Sequence, residues 1–504
     1  MKILFGSVVI LSCLQMSVCA EQIVVDGTIP GGNGRLLKSE GDRLVVEYEI
    51  RDTDVWWFRW CFAVRGAQGR TLTFKIQSDK FGAGSGAVGD FGFAVSHDGG
   101  RTWRYEKGVR SDRHGFEYAF GPGDQDVRFA QCLQYDPSHW QSFLAAHAND
   151  HAFFREETLT ISSRRGRPVP LTRFGNLSNP KYKLLLTSRH HSNEAVPNYV
   201  VEGIAAQVFA QDELGEWTRK NVQMIVVPFV DFDGVVDGDQ GKNRTPRDHN
   251  RDYHPSREPL YAEIAAIERI VREERPDVVM DFHNPAIHSV GRLFQSGLPD
   301  PEDADRQRSF ARILERTQKG AFTYLASDDV PFGVRWNTAS NYKKGQTLEH
   351  FAADELRGKG SLVTLWEVPF ANAHGGKTLS DDDFRDLGRD IVEALSVWLA
   401  HFRAETKQAA LKYKLLREEN SRWGQALECM RTAMERRPYR GRRRAGGRRW
   451  NAVPTVAGPP YMRTAQCAVG PPFHRRPRTA KMAALHAVAR ERDPPRVAAG
   501  AELG

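Results

Sequence analysis

The chain has 504 residues, 40% hydrophobic and 27% charged, an ordinary globular composition at a length that implies two or three domains. Its net charge of +8 invites a nucleic-acid ligand, but the distribution excludes one. From Arg431 onward about 17 Lys and Arg face about 4 Asp and Glu, so the tail holds the whole surplus and the rest of the chain is near −5.

Met1-Lys2 is a short positive start, Ile3 to Leu14 is almost wholly apolar, and Val18-Cys19-Ala20 is a small-residue cleavage site. This predicts a signal peptide over 1–20, too short to anchor as a span, and a secreted or periplasmic mature protein. A lipoprotein reading of Cys19 is weaker, because Val18 is large where a lipidation site wants a small residue. No later apolar run reaches the roughly 20 residues of a membrane helix, so no membrane insertion is expected. Four cysteines follow: Cys61, Cys132, Cys429 and Cys467, none in a CxxC motif. Cys61 and Cys132 are either a disulfide or two buried thiols.

Residues 21–140 read as an all-β domain. Leu44 to Ile50, Trp56 to Val64, Thr71 to Ile76, Phe91 to Ser96, Thr102 to Glu106, Phe116 to Phe120 and Val127 to Leu133 are β-branched or aromatic stretches, and Asp98-Gly99-Gly100 is a hairpin turn. A sandwich of about seven strands is expected. Over 141–406 strands alternate with helices. Strands are expected at Lys183–Thr187, Val222–Val230, Asp277–Phe282 and Leu362–Val368. Helices are expected at Asn198–Ala210, Pro259–Glu274 and Pro301–Lys319, with a closing helix capped by Ser380 that runs through Phe384, Leu387, Ile391, Leu395, Trp398 and Phe402. This is a doubly wound α/β domain with a mixed sheet. Residues 407–504, rich in Arg, Pro, Gly and Ala without periodicity, form a basic tail expected to be disordered. Its composition also resembles GC-rich DNA read in another frame.

Four segments with chemistry lie where strands of the α/β domain end, the place where open α/β sheets bind ligands. His191 and Glu194 are three residues apart after the first strand, so both point one way, and a His and a carboxylate are two of three ligands for a catalytic zinc. Asp231-Phe232-Asp233-Gly234-Val235 and His249-Asn250-Arg251 follow the second strand. The strand Val278 to Phe282 delivers His283. Glu367 lies within an apolar strand, where an unpartnered charge costs several kcal/mol, so it is expected to be functional or paired.

In this order the segments resemble those of the zinc metallocarboxypeptidase family, nearest to its cytosolic-carboxypeptidase branch, which carries a β-sandwich before the peptidase domain. The matching stretches are Arg189-His190-His191-Ser192-Asn193-Glu194, Asp231 to Val235, His249-Asn250-Arg251, Asp281-Phe282-His283 and Trp366-Glu367, and the likeness spans roughly residues 40 to 405. It departs from the family where Ser192-Asn193 replaces Pro-Gly and Asp231-Phe232 replaces Asn-Pro. The resemblance implies one Zn2+ per chain on His191, Glu194 and His283, and a substrate that is a peptide or protein with a free C-terminus. Glu367 takes a proton from the attacking water and passes it to the leaving amine. Asn250 and Arg251 hold the terminal carboxylate. Arg244, with Arg247 in reserve, stabilises the oxyanion, and Asp281 supports the ligands. Tyr342 is nearest by spacing to the family's mobile tyrosine, and His190, His249, His288 and His374 are neighbouring polar residues. Arg335, Lys343 and Lys344 hint at acidic C-terminal residues.

Two other readings compete. A zinc-dependent acyl-amino-acid deacylase of the same fold also uses a HxxE pair, an Asn-Arg and a strand-end His. A binding protein on an inactive peptidase scaffold would use the sandwich as its binding module. The sandwich favours the peptidase over the first, and the complete ligand set with Glu367 speaks against the second.

Overall fold

A computed structural model describes residues 22–402 apart from 83–85, 107–111, 288–290, 344 and 373–377. The expected leader, the basic tail with Cys429 and Cys467, and His288, His374 and Lys344 lie outside the described residues.

Among the described residues the N-terminal part has nine strands: β1 (Val24–Asp26), β2 (Gly34–Glu40), β3 (Arg43–Tyr48), β4 (Cys61–Arg65), β5 (Thr71–Ser78), β6 (Phe93–Ser96), β7 (Arg104–Glu106), β8 (Gly115–Ala119) and β9 (Asp126–Ala130). They form two sheets, ordered β1-β4-β9-β6-β7 and β2-β3-β5-β8. Strand β5 alternates as a half-buried strand should, with Leu72, Phe74 and Ile76 turned inward. Phe74 stacks on Phe116 at 4.9 Å between centroids, in a core shared with Phe62 and Phe129. Strand β4 is buried on both faces: Phe62 and Val64 enter this core, while Cys61 and Ala63 join the core of the α/β domain. The two domains therefore share apolar packing.

The expected strand Trp56–Val64 is shorter than its aromatic run implied. Trp56 to Trp60 form a loop, anchored where Tyr48 Oη donates to the Trp57 carbonyl at 2.9 Å and Phe58 packs edge-on against Phe370. Cys61 and Cys132 are free and buried, and burial raises their thiols to about 11 and about 12. At Asp98-Gly99-Gly100 the chain turns between β6 and β7, with positive φ at both glycines and the Asp98 carboxylate accepting from the backbone of Arg101 and Thr102.

Helix α1 (Pro137–Ala146), capped by Asp136, leads to a seven-stranded mixed sheet. In chain order its elements are β10 (Phe154–Ile161), β11 (Pro168–Gly175), β12 (Tyr182–Ser188), α2 (Pro197–Ala206), α3 (Glu213–Asn221), β13 (Val222–Val227), α4 (Phe232–Asp237), α5 (Ala262–Glu274) and β14 (Val278–His283). Then follow β15 (Phe294–Ser296), α6 (Pro301–Thr317), α7 (Leu348–Glu355), β16 (Leu362–Glu367) and α8 (Asp381–Phe402). The order β10-β11-β13-β12-β14-β16-β15 puts four parallel strands, β13, β12, β14 and β16, at the centre. Their residues alternate between two cores. Leu184, Leu186, Val226 and Met280 face the side of α2, α6 and α8, and Leu185, Ile225, Val227 and Val279 face α5 and α7. Each such side chain, fully buried, contributes about 1.5–3 kcal/mol. Continuous apolar runs are what a parallel strand covered on both faces requires. No helix among the described residues is long and apolar enough to cross a membrane.

Candidate metal centre

His191, Glu194, His283 and Glu367 sit at or just beyond the C-terminal ends of parallel strands, and Asn250 and Arg251 lie in the long connection after β13. After β12 the chain turns sharply at Arg189, which adopts a positive φ of 64°. A non-glycine residue holds that conformation only when its surroundings fix it. Here the buried guanidinium donates to the Tyr135 carbonyl at 3.0 Å and the Ser192 carbonyl at 2.6 Å. The turn that follows presents His191 and Glu194, with Glu194 N donating to the His191 carbonyl at 3.1 Å. Strand β14 ends on His283, and β16 ends on Glu367, its register partner.

His191 Nδ1 lies 3.0 Å from Glu194 Oε1 and His283 Nδ1 lies 2.6 Å from Glu194 Oε2. Each imidazole uses its other nitrogen on a buried aspartate: His191 Nε2 with Asp248 at 3.2 Å, His283 Nε2 with Asp281 at 2.8 Å. Burial opposes both aspartate charges, but the facing histidines outweigh it and hold both carboxyls well below their usual range. An anionic partner at Nε2 keeps the proton there and turns the Nδ1 lone pair to the common centre. The ligand atoms of His191, Glu194 and His283 lie within 4.8 Å of one another. Two imidazoles and one carboxylate with a side open to a cleft are a donor set that suits zinc.

The cleft has a volume of about 600 Å³ and is lined by His191, His283, Glu367, Asn250, Arg251 and Lys242 among others. Glu367 Oε2 is buried with no hydrogen-bond partner among the described residues. Burial is the main cause that raises its carboxyl, reinforced by Glu194 and opposed by Lys242 and the two histidines. Arg251 donates to the Asn250 carbonyl at 2.7 Å and lies over the Tyr342 ring at 5.3 Å. Among the described residues no carboxylate pairs with it. Asn250, expected on the substrate carboxylate, instead places its Nδ2 3.0 Å from His283 Nε2, and its Oδ1 accepts from Leu348 N at 3.1 Å. Tyr342 donates to Asn337 Oδ1 at 2.8 Å.

Arg244 is not brought to the cleft. Its guanidinium is buried among Asp231, Asp239 and Asp52, and it does not line the cavity. Gly234 allows that cluster, since a Cβ there would lie 2.2 Å from Asp231 Oδ2 and 2.6 Å from the Arg244 guanidinium. Arg247 pairs with Asp252 at 2.5 Å, also off the cleft wall. Of the neighbouring histidines, His190 bridges Asp281 and Tyr253, and His249 binds Glu263 and stacks on Tyr261. His190, Asp281 and His283 could form a second ligand group, but Asp281 is already shared with Thr187 Oγ1 at 2.7 Å. Sequence reasoning missed Lys242 and Trp57, both on the cleft wall. Neither stands in a motif.

No family profile matches the chain. Over 174 residues it is 24% identical to cytosolic carboxypeptidase 6 of Caenorhabditis elegans, a match spanning 34% of this chain and 38% of that relative. A metallo-carboxypeptidase from Burkholderia cenocepacia superposes with a TM-score of 0.62 at 16% identity, over 75% of this chain and 99% of the other. A metallo-carboxypeptidase from Pseudomonas aeruginosa, in complex with (2-guanidinoethylmercapto)succinic acid, gives 0.59 at 18% identity over 74% and 98%. The likeness covers the sandwich and the α/β domain together, and the chain carries the metallocarboxypeptidase fold.

Proposed function

We propose that the chain is a zinc-dependent carboxypeptidase that removes the C-terminal residue of peptides or proteins. The observation that carries this reading is the orientation of the two histidines: each turns Nδ1 to Glu194 while an aspartate binds Nε2. His191, Glu194 and His283 would hold one zinc ion, which polarises a carbonyl and lowers the pKa of water when bound. The metallo-carboxypeptidases of like fold support the same reading.

The remaining residues divide the chemistry. Arg251 binds the terminal carboxylate through its planar fork. Glu367 takes the proton of the attacking water and delivers it to the leaving nitrogen, a role that suits a carboxyl raised by burial. Arg335 on the cleft wall supports a preference for acidic terminal residues, while Lys343 is exposed and does not line the cleft. Residues 1–20 support export, which secretion of the full chain against a chain starting at Glu21 would test. The main experiment measures zinc content together with release of single amino acids from peptides differing only in the last residue. A zinc-loaded protein that hydrolyses acylated amino acids and spares longer peptides would favour the deacylase reading instead.

A further inference from the structure

The cleft carries a cation that the motifs did not mark. When water adds to the scissile carbonyl, the C–O bond forms, the π electrons pass to the carbonyl oxygen, and Glu367 takes the proton. The new oxyanion needs a positive partner placed before the reaction. Arg244 and Arg247 are committed to buried carboxylates off the wall. Arg292 pairs with Asp328 at 3.0 Å, and Arg251 holds the terminal carboxylate in the reading above. Arg335, also on the wall, faces the terminal side chain in that reading. Lys242 is the cation set beside the group of candidate ligands, its Nζ 2.9 Å from Glu194 Oε1.

The backbone on both sides of Lys242 is fixed. Gly241 has a φ of +78°, its N–H donates to Asp52 Oδ2 at 2.8 Å, and a Cβ there would lie 2.3 Å from Ser192 N in the ligand turn. Asn243 N donates to Asp248 Oδ2 at 2.8 Å, and its carbonyl accepts from Thr53 Oγ1 at 3.0 Å. The same Asp248 binds His191, so one carboxylate positions a candidate ligand and the lysine together. Asp52 and Thr53 belong to the sandwich domain, as does Trp57, whose ring lies 5.2 Å from Nζ. An ammonium over an indole face is held by the ring quadrupole without losing its charge.

We propose that Lys242 is the catalytic cation that stabilises the oxyanion, and that Trp57 of the sandwich domain is a positioning residue that aims it. This rests on the peptidase reading. Collapse of the adduct then breaks the C–N bond, and the proton held by Glu367 leaves with the amine. The sandwich is thus part of the active site.

The test uses the zinc-loaded full chain with Lys242→Met, Lys242→Arg, Trp57→Leu and Trp57→Phe. Lys242→Met should keep its zinc by elemental analysis and its KM within a few-fold, while kcat falls by about 10²–10³. A peptide phosphonate, a stable tetrahedral anion, should bind the variant more weakly by a comparable factor in calorimetry. The binding of the free product amino acid should not change. Arginine should restore part of both losses. Trp57→Leu should lower kcat with KM and melting temperature unchanged, and phenylalanine should recover it. Unaltered kcat in Lys242→Met, or loss of zinc from it, would overturn the proposal, the latter making the lysine only a partner of Glu194. A Trp57→Leu loss that phenylalanine does not recover removes the platform. If the wild type releases no amino acid, the peptidase reading alone falls, because phosphonate binding and its dependence on Lys242 are read without turnover.

Discussion

His283 and Glu367 are register partners across the parallel pair β14 and β16, so one pairing in the sheet fixes the candidate metal ligand and the candidate base against each other. A one-residue slip of either strand would turn its member of the pair to the opposite face. The pairing is secured along its length, from Val278↔Leu362 to His283↔Glu367, by residues buried on both faces.

Glu367→Gln should retain zinc and substrate affinity and lose turnover by about 10²–10⁴, since an amide of the same shape cannot accept a proton. Elemental analysis and steady-state kinetics on one preparation check this. Near wild-type kcat would move the role to another carboxylate, Asp281 or Asp252 first.

His191→Ala and His283→Ala should each lose the metal, while Asp248→Asn and Asp281→Asn should weaken it by about 10–100-fold, the usual effect of removing a group that orients a ligand. Titration with a competing chelator reads both. The fold should survive in all four, because the strand ends are preformed. Equal zinc affinity in Asp281→Asn and wild type would mean that Asp281 does not fix the His283 tautomer.

The strands delivering His191, Glu194, His283 and Glu367 were legible because a fully buried parallel strand is an unbroken apolar run, and a polar residue at its exit stands out. What failed were the loops. The resemblance points to Arg244 by its place between two motifs, and chain order does not say which way a loop side chain turns; three aspartates draw it inward. Trp56-Trp57 has strand composition, yet it serves as a loop that reaches the cleft from the neighbouring domain. Strand β2 is mostly exposed and polar, and β10 keeps few buried positions, so neither shows the alternation that marks a strand.

Glu349 gives a pH dependence of stability. It is buried on α7, where Ser296 Oγ, Gln307 Nε2 and Leu365 N donate to it, and burial raises its carboxyl to about 8. The folded state therefore binds a proton that the unfolded state, near 4.5, has released. Stability is full below about pH 4.5 for this group and falls as pH rises toward 8, by at most about 1.4 kcal/mol per pH unit. Glu349→Gln should flatten the decline in melting temperature between pH 5 and 8. An unchanged slope would assign it to Asp329, which burial raises to about 7.

Arg251 should confine the enzyme to free C-termini. Its guanidinium lines the cleft and has no carboxylate partner among the described residues, so a substrate carboxylate would complete it. A charge-assisted hydrogen bond contributes about 1.5–3 kcal/mol, and Arg251→Ala should lower kcat/KM by about 10–100-fold or more. Lysine there should rescue only in part, because a point charge cannot match both oxygens. Amidating the peptide C-terminus should hurt the wild type severely and Arg251→Ala much less, since the variant has already lost the partner. Measuring both enzymes on both peptides isolates the pairwise term from general damage to the cleft. Equal cleavage of amidated and free peptides by the wild type would rule out an exopeptidase, even with zinc on His191, Glu194 and His283.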